Sequence, residues 1–174
     1  MRKILFFALC LVVISTNTHA LSLVPFSNPE DGYTISFPND WSTQAHYLGT
    51  SVFSTSPLGD AMDTVRENVN VVSERLSVPL SSEQYYQSNL ISMRQILKDL
   101  SVTDATPVQM GRATAVRVIV SQQVGERKQK NLVYFVSFGG RGYVITCSAE
   151  PHTFDLFRPL FEQIVATFAL TQGS

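Results

Sequence analysis

The sequence contains few cysteines and histidines and no excess of charge of either sign. Its 174 residues include two Cys and three His, and 13 Lys and Arg stand against 14 Asp and Glu. Proteins that bind DNA or RNA need a clustered excess of basic residues. Arg127, Lys128 and Lys130 cluster at one predicted hairpin tip beside Glu126, a pattern typical of a solvated turn. We therefore expect no nucleic-acid partner.

The motifs of the common enzyme classes are absent as well. The sequence has no G-x-S-x-G elbow, no P-loop and no dinucleotide-binding fingerprint. Cys147 lies within a predicted strand, where a thiol is usually a buried and unreactive apolar group. We therefore predict no catalytic residue and a protein that is not an enzyme. An enzyme whose site carries no recognisable motif is the alternative.

Closely spaced zinc ligands are also lacking, since the sequence has neither C-x-x-C nor H-x-x-x-H. Asp60, Asp63 and Glu67 nevertheless form an acidic cluster around a polar loop, and His46 is a further candidate ligand. Carboxylate oxygens on a loop suit Ca²⁺ or Mn²⁺, although a solvated acidic loop explains them equally well. We expect no cofactor. A regulator that binds calcium, manganese or zinc through these residues is the alternative.

One long apolar run lies near the start of the chain. Arg2 and Lys3 precede the uncharged run Ile4–Ile14, and a polar stretch then ends at Ala20. A basic start, a short apolar run and a small residue before the cleavage point are typical of a secretory signal peptide. The run is shorter than the roughly 20 residues that span a bilayer. The pattern therefore predicts export, with cleavage between Ala20 and Leu21.

Removal of residues 1–20 would leave residues 21–174 as a single domain that is periplasmic or secreted. We expect this mature chain to be a monomer without a transmembrane segment. Cys147 would be its only cysteine, so it could form no internal disulfide. An uncleaved anchor and a lipoprotein modified at Cys10 are the alternatives to cleavage at this position.

Alternating apolar and polar residues predict strands in the first part of the mature chain. These strands are Tyr33–Phe37, Thr50–Ser54 and Asn68–Glu74. The preceding stretch Leu21–Gly32 contains two prolines and a turn-like end, and we predict an irregular leader there. The stretch Ser54–Asp63 is rich in Ser, Pro and Gly and is predicted to be an exposed loop.

Two helices are predicted from apolar residues at helical spacing. The first covers Ser82–Asp99 and begins with a capping box formed by Ser81 and Gln84. Its core-facing stripe consists of Tyr86, Leu90, Met93, Leu97 and Leu100. The second helix closes the chain, and Pro159 inside it predicts a kink or a start near Asp155, since proline cannot donate to the preceding turn.

Three sequential antiparallel strands are predicted between the helices. They are Ala115–Gln123, Lys130–Phe138 and Tyr143–Ala149, joined by glycine-containing turns. Both faces of these strands are apolar, so we expect helices to cover much of the sheet.

Three stretches of the sequence resemble the PsbP-like family, named after an extrinsic subunit of photosystem II. Tyr33–Trp41 is similar to the family's opening Y-x-I/V-x-F/Y-P-x-x-W, and Glu67–Val72 to its E/D-N-V-x-V-V strand. The stretch Gly142–Phe168 resembles the last strand and the terminal helix, with its F-x-x-F-x-P-x-F rhythm. Together these stretches extend over nearly the whole mature chain.

The resemblance implies an α+β fold, an α-β-α sandwich with a central antiparallel sheet. It also implies a non-enzymatic accessory module that acts on a protein or a membrane-associated complex. In a photosynthetic source it would imply an extrinsic protein that supports the cofactors of photosystem II. No metal ligand of the family can be assigned to a residue of this sequence.

Overall fold

The computed structural model describes residues 21–59 and 65–171, which form ten strands and two helices. The strands are β1 (Leu23–Asn28), β2 (Tyr33–Pro38), β3 (Ser42–Ala45), β4 (Val52–Thr55), β5 (Asn68–Arg75), β6 (Lys98–Met110), β7 (Ala113–Val124), β8 (Arg127–Phe138), β9 (Arg141–Ala149) and β10 (Ala169–Leu170). The helices are α1 (Ser82–Ile96) and α2 (Phe154–Ala166). The predicted signal peptide and its cleavage point at Ala20 lie outside the described residues.

The strands form two antiparallel sheets. Seven strands pair in the order β3-β4-β5-β9-β8-β7-β6, and three pair in the order β1-β2-β10. The predicted three-strand meander is confirmed as β7, β8 and β9. Its second turn consists of Gly139 and Gly140, both at positive φ, which suits a tight hairpin between twisted strands. The α+β class is therefore confirmed.

The two helices pack on opposite faces of the seven-stranded sheet. Tyr85, Tyr86 and Leu90 of α1 pack on Val118 and Phe135. On the other face, α2 and the three-stranded sheet cover the remaining apolar side chains of the sheet. The seven-stranded sheet contributes Ala115, Leu132, Ile145 and Cys147 to this part of the core, and β2 contributes Tyr33 and Phe37. Both faces of the central strands are buried, which explains their nearly continuous apolar sequence.

Helix α1 begins as predicted but ends earlier. The capping box is present, since the Ser81 side chain accepts from the Gln84 backbone at 3.2 Å and the Gln84 side chain accepts from the Ser81 backbone at 2.8 Å. The predicted end at Asp99 is wrong, because Leu97 is already extended at φ −99° and ψ 134°. Pairing of the next residues with β7 replaces the last helical turn, and Leu100 belongs to β6.

The helix α1 also packs tightly on the sheet at one glycine. A Cβ atom added at Gly142 would lie 2.5 Å from Cζ of Tyr85. Tyr85 is 2% exposed and its hydroxyl donates to Glu74 Oε1 at 2.7 Å. Any side chain at residue 142 would therefore displace the tyrosine that attaches α1 to β5.

Four strands were not predicted. The leader Leu21–Gly32 is not irregular, because β1 pairs with β2 along its whole length and Phe26 packs beside Tyr33 and Phe37. The strands β3 and β10 are too short to show a clear alternation of apolar and polar residues. In β6 two bulges interrupt the pairing with β7. Such irregular edges are a common protection against pairing with other chains.

Burial of two tyrosines makes the folded protein sensitive to alkali. Burial raises the pKa of Tyr33 to about 12 and that of Tyr134 to about 12. The folded-state pKa therefore lies above the ordinary value of 10.0, so folding favours the protonated hydroxyl. We expect the melting temperature to fall as the pH rises from 10 to 12.

The variant Tyr134→Phe checks this expectation, since it removes one of the tyrosine hydroxyls whose pKa is raised by burial. Its melting temperature should fall less steeply than that of the parent over the same pH range, measured by circular dichroism. The control Tyr47→Phe removes a hydroxyl from a side chain that is 42% exposed and should follow the parent. Identical slopes for all three proteins would contradict the assignment.

Candidate ligand-binding cleft

A cleft of about 850 Å³ opens beside the N-terminal end of α2. Its walls come from the turn after β2, the irregular segment 56–59 that follows β4, and the turn and first residues of α2. Pockets that bind small molecules commonly have volumes of roughly 300–1,000 Å³. The size of the cleft is therefore that of a binding site.

Two turns place the apolar walls of this cleft. Pro38 ends β2, and the Trp41 backbone donates to the Pro38 carbonyl at 3.0 Å, which turns the indole towards the cleft lining. Helix α2 begins after a turn in which the Thr153 backbone donates to the Glu150 carbonyl at 3.1 Å. Leu156 and Phe157 then line the cleft from the first turn of the helix.

Three leucines leave unusually apolar surface around the cleft. Leu156 is 77% exposed, Leu21 is 49% exposed and Leu58 is 41% exposed, and all three line it. Single exposed leucines are ordinary, but several around one concave surface are typical of an interaction site.

Glu67 is the buried acidic group of the cleft. It is only 5% exposed, and its two carboxylate oxygens accept separate hydrogen bonds. The Ser56 hydroxyl donates to Oε2 at 3.1 Å, and the Thr153 hydroxyl donates to Oε1 at 2.9 Å. Thr153 is the N-cap of α2, so the carboxylate lies at the helix end that favours negative charge. Glu67 therefore connects the start of β5 to the start of α2.

Other charged residues of the cleft are mostly acidic. Asp40 and Glu150 line it, and His152 lies with its Nδ1 at 4.0 Å from a Glu150 carboxylate oxygen. The His152 side chain is 75% exposed. Among the described residues that line the cleft, none is a lysine or an arginine. The cleft thus combines an apolar surface with a negative field.

Of the four candidate metal ligands, the structure describes His46 and Glu67, and these two do not lie together. Asp60 and Asp63 lie outside the described residues. His46 hydrogen-bonds the Ser51 end of β4, whereas Glu67 hydrogen-bonds Ser56 at the other end. Five residues of extended chain separate these ends by about 16 Å. No group of three or more His, Cys, Asp or Glu that could hold a metal is found within residues 21–59 and 65–171.

The thiol considered as a nucleophile is part of the core. Cys147 is completely buried between the sheet and α2, on the same face of β9 as Tyr143 and Ile145. The prediction of its burial is confirmed. Burial raises the pKa of the thiol, so the reactive thiolate is scarcely formed at neutral pH.

Comparison with known proteins rests on structure alone. No protein-family model matches the sequence, and no curated protein sequence matches it. The solution structure of cyanobacterial PsbP (CyanoP) from Synechocystis sp. PCC 6803 does match, with a TM-score of 0.64 and 16% identity. The match covers 89% of this chain and 96% of that one. The chain has a PsbP-like fold.

Two bacterial proteins share this PsbP-like fold. LpqN, involved in cell envelope biogenesis of Mycobacterium tuberculosis, matches with a TM-score of 0.64 at 12% identity over 88% of both chains. PA94 of Pseudomonas aeruginosa, a protein of unknown function and candidate regulator, has a TM-score of 0.63 at 12% identity. That match covers 87% of this chain and 99% of PA94. At such identities the likeness shows the fold.

The helices of this PsbP-like fold are not membrane spans. Neither α1 nor α2 is long and apolar enough to cross a bilayer, and the search covered the described residues.

The cleft could not be predicted from the sequence, because its walls are far apart in the chain. Glu67 and Thr153 are 86 positions apart, and Trp41 precedes both. In the sequence, Glu67 is only one of several acidic residues around a polar loop. No local motif marks a buried carboxylate whose partners come from other elements.

Proposed function

We propose that this protein is an exported, non-enzymatic accessory module that binds another protein in the cleft beside α2. The apolar surface formed by Leu21, Leu58 and Leu156 carries the proposal, because protein partners bury such patches. The fold supports it, since LpqN is a protein of cell envelope biogenesis with the same fold. The apolar run Ile4–Ile14 agrees with export.

The proposed module is an α-β-α sandwich whose helices have different roles. Helix α1 covers one face of the sheet and serves as scaffold. Helix α2 buries Phe161 and Ile164 in the core and presents Leu156 to the partner. Recognition on residues held by a rigid scaffold is the usual arrangement in binding proteins. No cofactor and no catalytic group is needed for this role.

The variant Leu156→Asp tests the proposal. The protein, carrying an affinity tag, is used to capture partners from the envelope fraction of its host, followed by quantitative mass spectrometry. Charge in an apolar contact should reduce capture of the true partner about tenfold, which corresponds to 1.4 kcal/mol. The control Ile91→Asp changes another exposed apolar residue, which lies on α1 and is 61% exposed, and should leave capture unchanged.

The result that would contradict the proposal is equal capture by the parent and both variants. Melting curves of the three proteins are needed beside it. Leu156 and Ile91 are both exposed, so the substitutions should leave the melting temperature close to that of the parent.

A further inference from the structure

We propose that the cleft receives a partner segment in which a lysine or arginine is flanked by apolar side chains, and that Glu67 binds the cationic group. This inference rests on the proposed function and names the chemistry of the partner. A purely apolar or acidic segment is excluded by it.

The carboxylate of Glu67 is incompletely paired by the residues that the structure describes. A carboxylate can accept about four hydrogen bonds. Glu67 accepts two from side chains, those of Ser56 and Thr153, and both donors are neutral hydroxyls. Within residues 21–59 and 65–171, no lysine, arginine or histidine forms an ion pair with it. Buried charges in proteins are usually paired. A cation supplied by a partner would complete the site.

Two basic residues of this region, Arg66 and Lys130, make their contacts with other groups. Arg66, the neighbour of Glu67 in the chain, donates to the Ser56 carbonyl at 2.7 Å. Lys130, next to α2, forms an ion pair with Asp155 at 3.4 Å and lies 4.4 Å from the centre of the Phe154 ring. Among the described residues, no ion pair supplies a cation to the Glu67 carboxylate.

The charge and the apolar surface of the cleft both suit a basic amphipathic segment. Asp40 and Glu150 add negative charge to the lining, and no described lining residue is lysine or arginine. Apolar and aromatic side chains, including Trp41, Phe157 and Leu160, form much of the remaining lining, beside the polar Ser56, His152 and Thr153. Lysine and arginine bury their methylene stems along apolar surface while the charged head reaches a polar group. The charge and the apolar surface thus favour the same class of side chain.

Two hydrogen bonds fix the orientation of the Glu67 carboxylate. Its hydrogen bonds to Ser56 and Thr153 hold the carboxylate from two sides, so little freedom is lost when a ligand binds. Preorganised groups of this kind contribute more to affinity than mobile ones. Glu150 is less constrained, with 32% of its side chain exposed, and should act through the field of the cleft alone.

A library of random 12-residue peptides displayed on phage provides the probe. Peptides are selected on the purified parent protein, and those that still bind Leu156→Asp are discarded. Synthetic copies are then measured by fluorescence anisotropy on the parent, Glu67→Gln and Glu150→Gln. Each peptide is also made with its lysine replaced by norleucine, or its arginine by citrulline, which removes the charge with little change of size.

The selected peptides should carry one lysine or arginine beside Leu, Phe or Trp. Removal of that charge should weaken binding to the parent at least tenfold but binding to Glu67→Gln less than twofold. The same removal should weaken binding to Glu150→Gln nearly as much as binding to the parent. If Glu67→Gln does not fold, the charge-removal comparison on the parent and Glu150→Gln decides, with a loss of less than twofold overturning the inference.

Failure of this inference differs from failure of the proposed function. Peptides that depend on Leu156 but contain no basic residue, or that lose nothing when it is neutralised, overturn the role of Glu67 and keep the cleft as a binding site. The absence of any peptide dependent on Leu156 overturns both.

Discussion

Replacement of Phe161 by alanine should lower the free energy of unfolding by about 3–5 kcal/mol, the usual range for a buried phenylalanine. Phe161 is fully buried in the core between α2 and the two sheets, and its ring centre lies 6.0 Å from that of Phe157. The cavity left by the ring could collapse only in part, because the core cluster that contains Phe161 is built from α2 and from strands of both sheets. Urea unfolding followed by circular dichroism measures the loss.

The exposed leucine of the same helix provides the control. Leu156→Ala should change the stability by no more than about 0.5 kcal/mol, since its side chain is 77% exposed. Should Phe161→Ala unfold at the urea concentration of the parent, the packing of α2 on the sheet would be wrong.

These two residues illustrate why much of the fold could be predicted from the sequence. The spacing of Phe157, Phe161 and Ile164 requires a helix with one apolar side, whatever surrounds it. The meander of β7, β8 and β9 could be predicted equally well, because runs of β-branched residues favour strands and glycine turns favour tight hairpins. The capping box at Ser81 satisfies its own helix end, so its signal also needs no tertiary context.

The strand β6 could not be predicted in this way because its alternation changes sides. Val102 packs on the α1 face, whereas Val108 packs on the α2 face, although both positions are even. The bulge between Thr103 and Thr106 inserts one residue and reverses the direction of every later side chain. Asp104 within it has a φ of 57°, which no sequence period reveals. Because β6 lies at the edge of the sheet, it can carry many polar residues, and these obscure the alternation that is typical of a strand.

The cleft depends even more on tertiary structure. In the sequence, Glu67 is part of an acidic stretch. In the structure, its buried carboxylate accepts a hydrogen bond from Thr153, the N-cap of α2. The apolar surface of the cleft comes from leucines that look ordinary in the sequence, such as Leu58 in a polar segment. Neither the contact of Glu67 with α2 nor the shared leucine surface can be read from composition or spacing, because each depends on how distant segments pack together.

A second feature hidden from the sequence is a polar network around Asp31, in the turn between β1 and β2. Its Oδ1 accepts from Arg141 of β9 at 2.8 Å. Its Oδ2 accepts from Ser51 at 2.6 Å and from Asn28 at 3.0 Å. The Tyr143 hydroxyl donates to its backbone carbonyl at 2.7 Å. The network attaches the three-stranded sheet to the central strand β9 of the seven-stranded sheet.

Replacement of Asp31 by alanine should therefore destabilise the protein by about 3 kcal/mol. Loss of one partner from a buried ion pair commonly costs about 3–5 kcal/mol, because the other charge stays buried without compensation. The lower end applies here, since the Asp31 and Arg141 side chains are still 17% and 16% exposed. Asp31→Asn keeps one acceptor for the hydroxyl of Ser51 and should lose less. Urea unfolding of both variants gives the comparison.

The ion pair between Arg158 and Glu162 is the matched control for this prediction. Its two atoms lie 3.0 Å apart on one side of α2, with side-chain exposures of 34% and 43%. Water screens such a pair, so Glu162→Ala should cost about 0.3–0.5 kcal/mol. A loss at Asp31 as small as the loss at Glu162 would mean that the small sheet is held by Phe26, Tyr33 and Phe168 through apolar packing alone. A loss several times larger would show that the polar network fixes the position of β1 and β2, and with them the turn that carries Asp40 and Trp41 into the cleft.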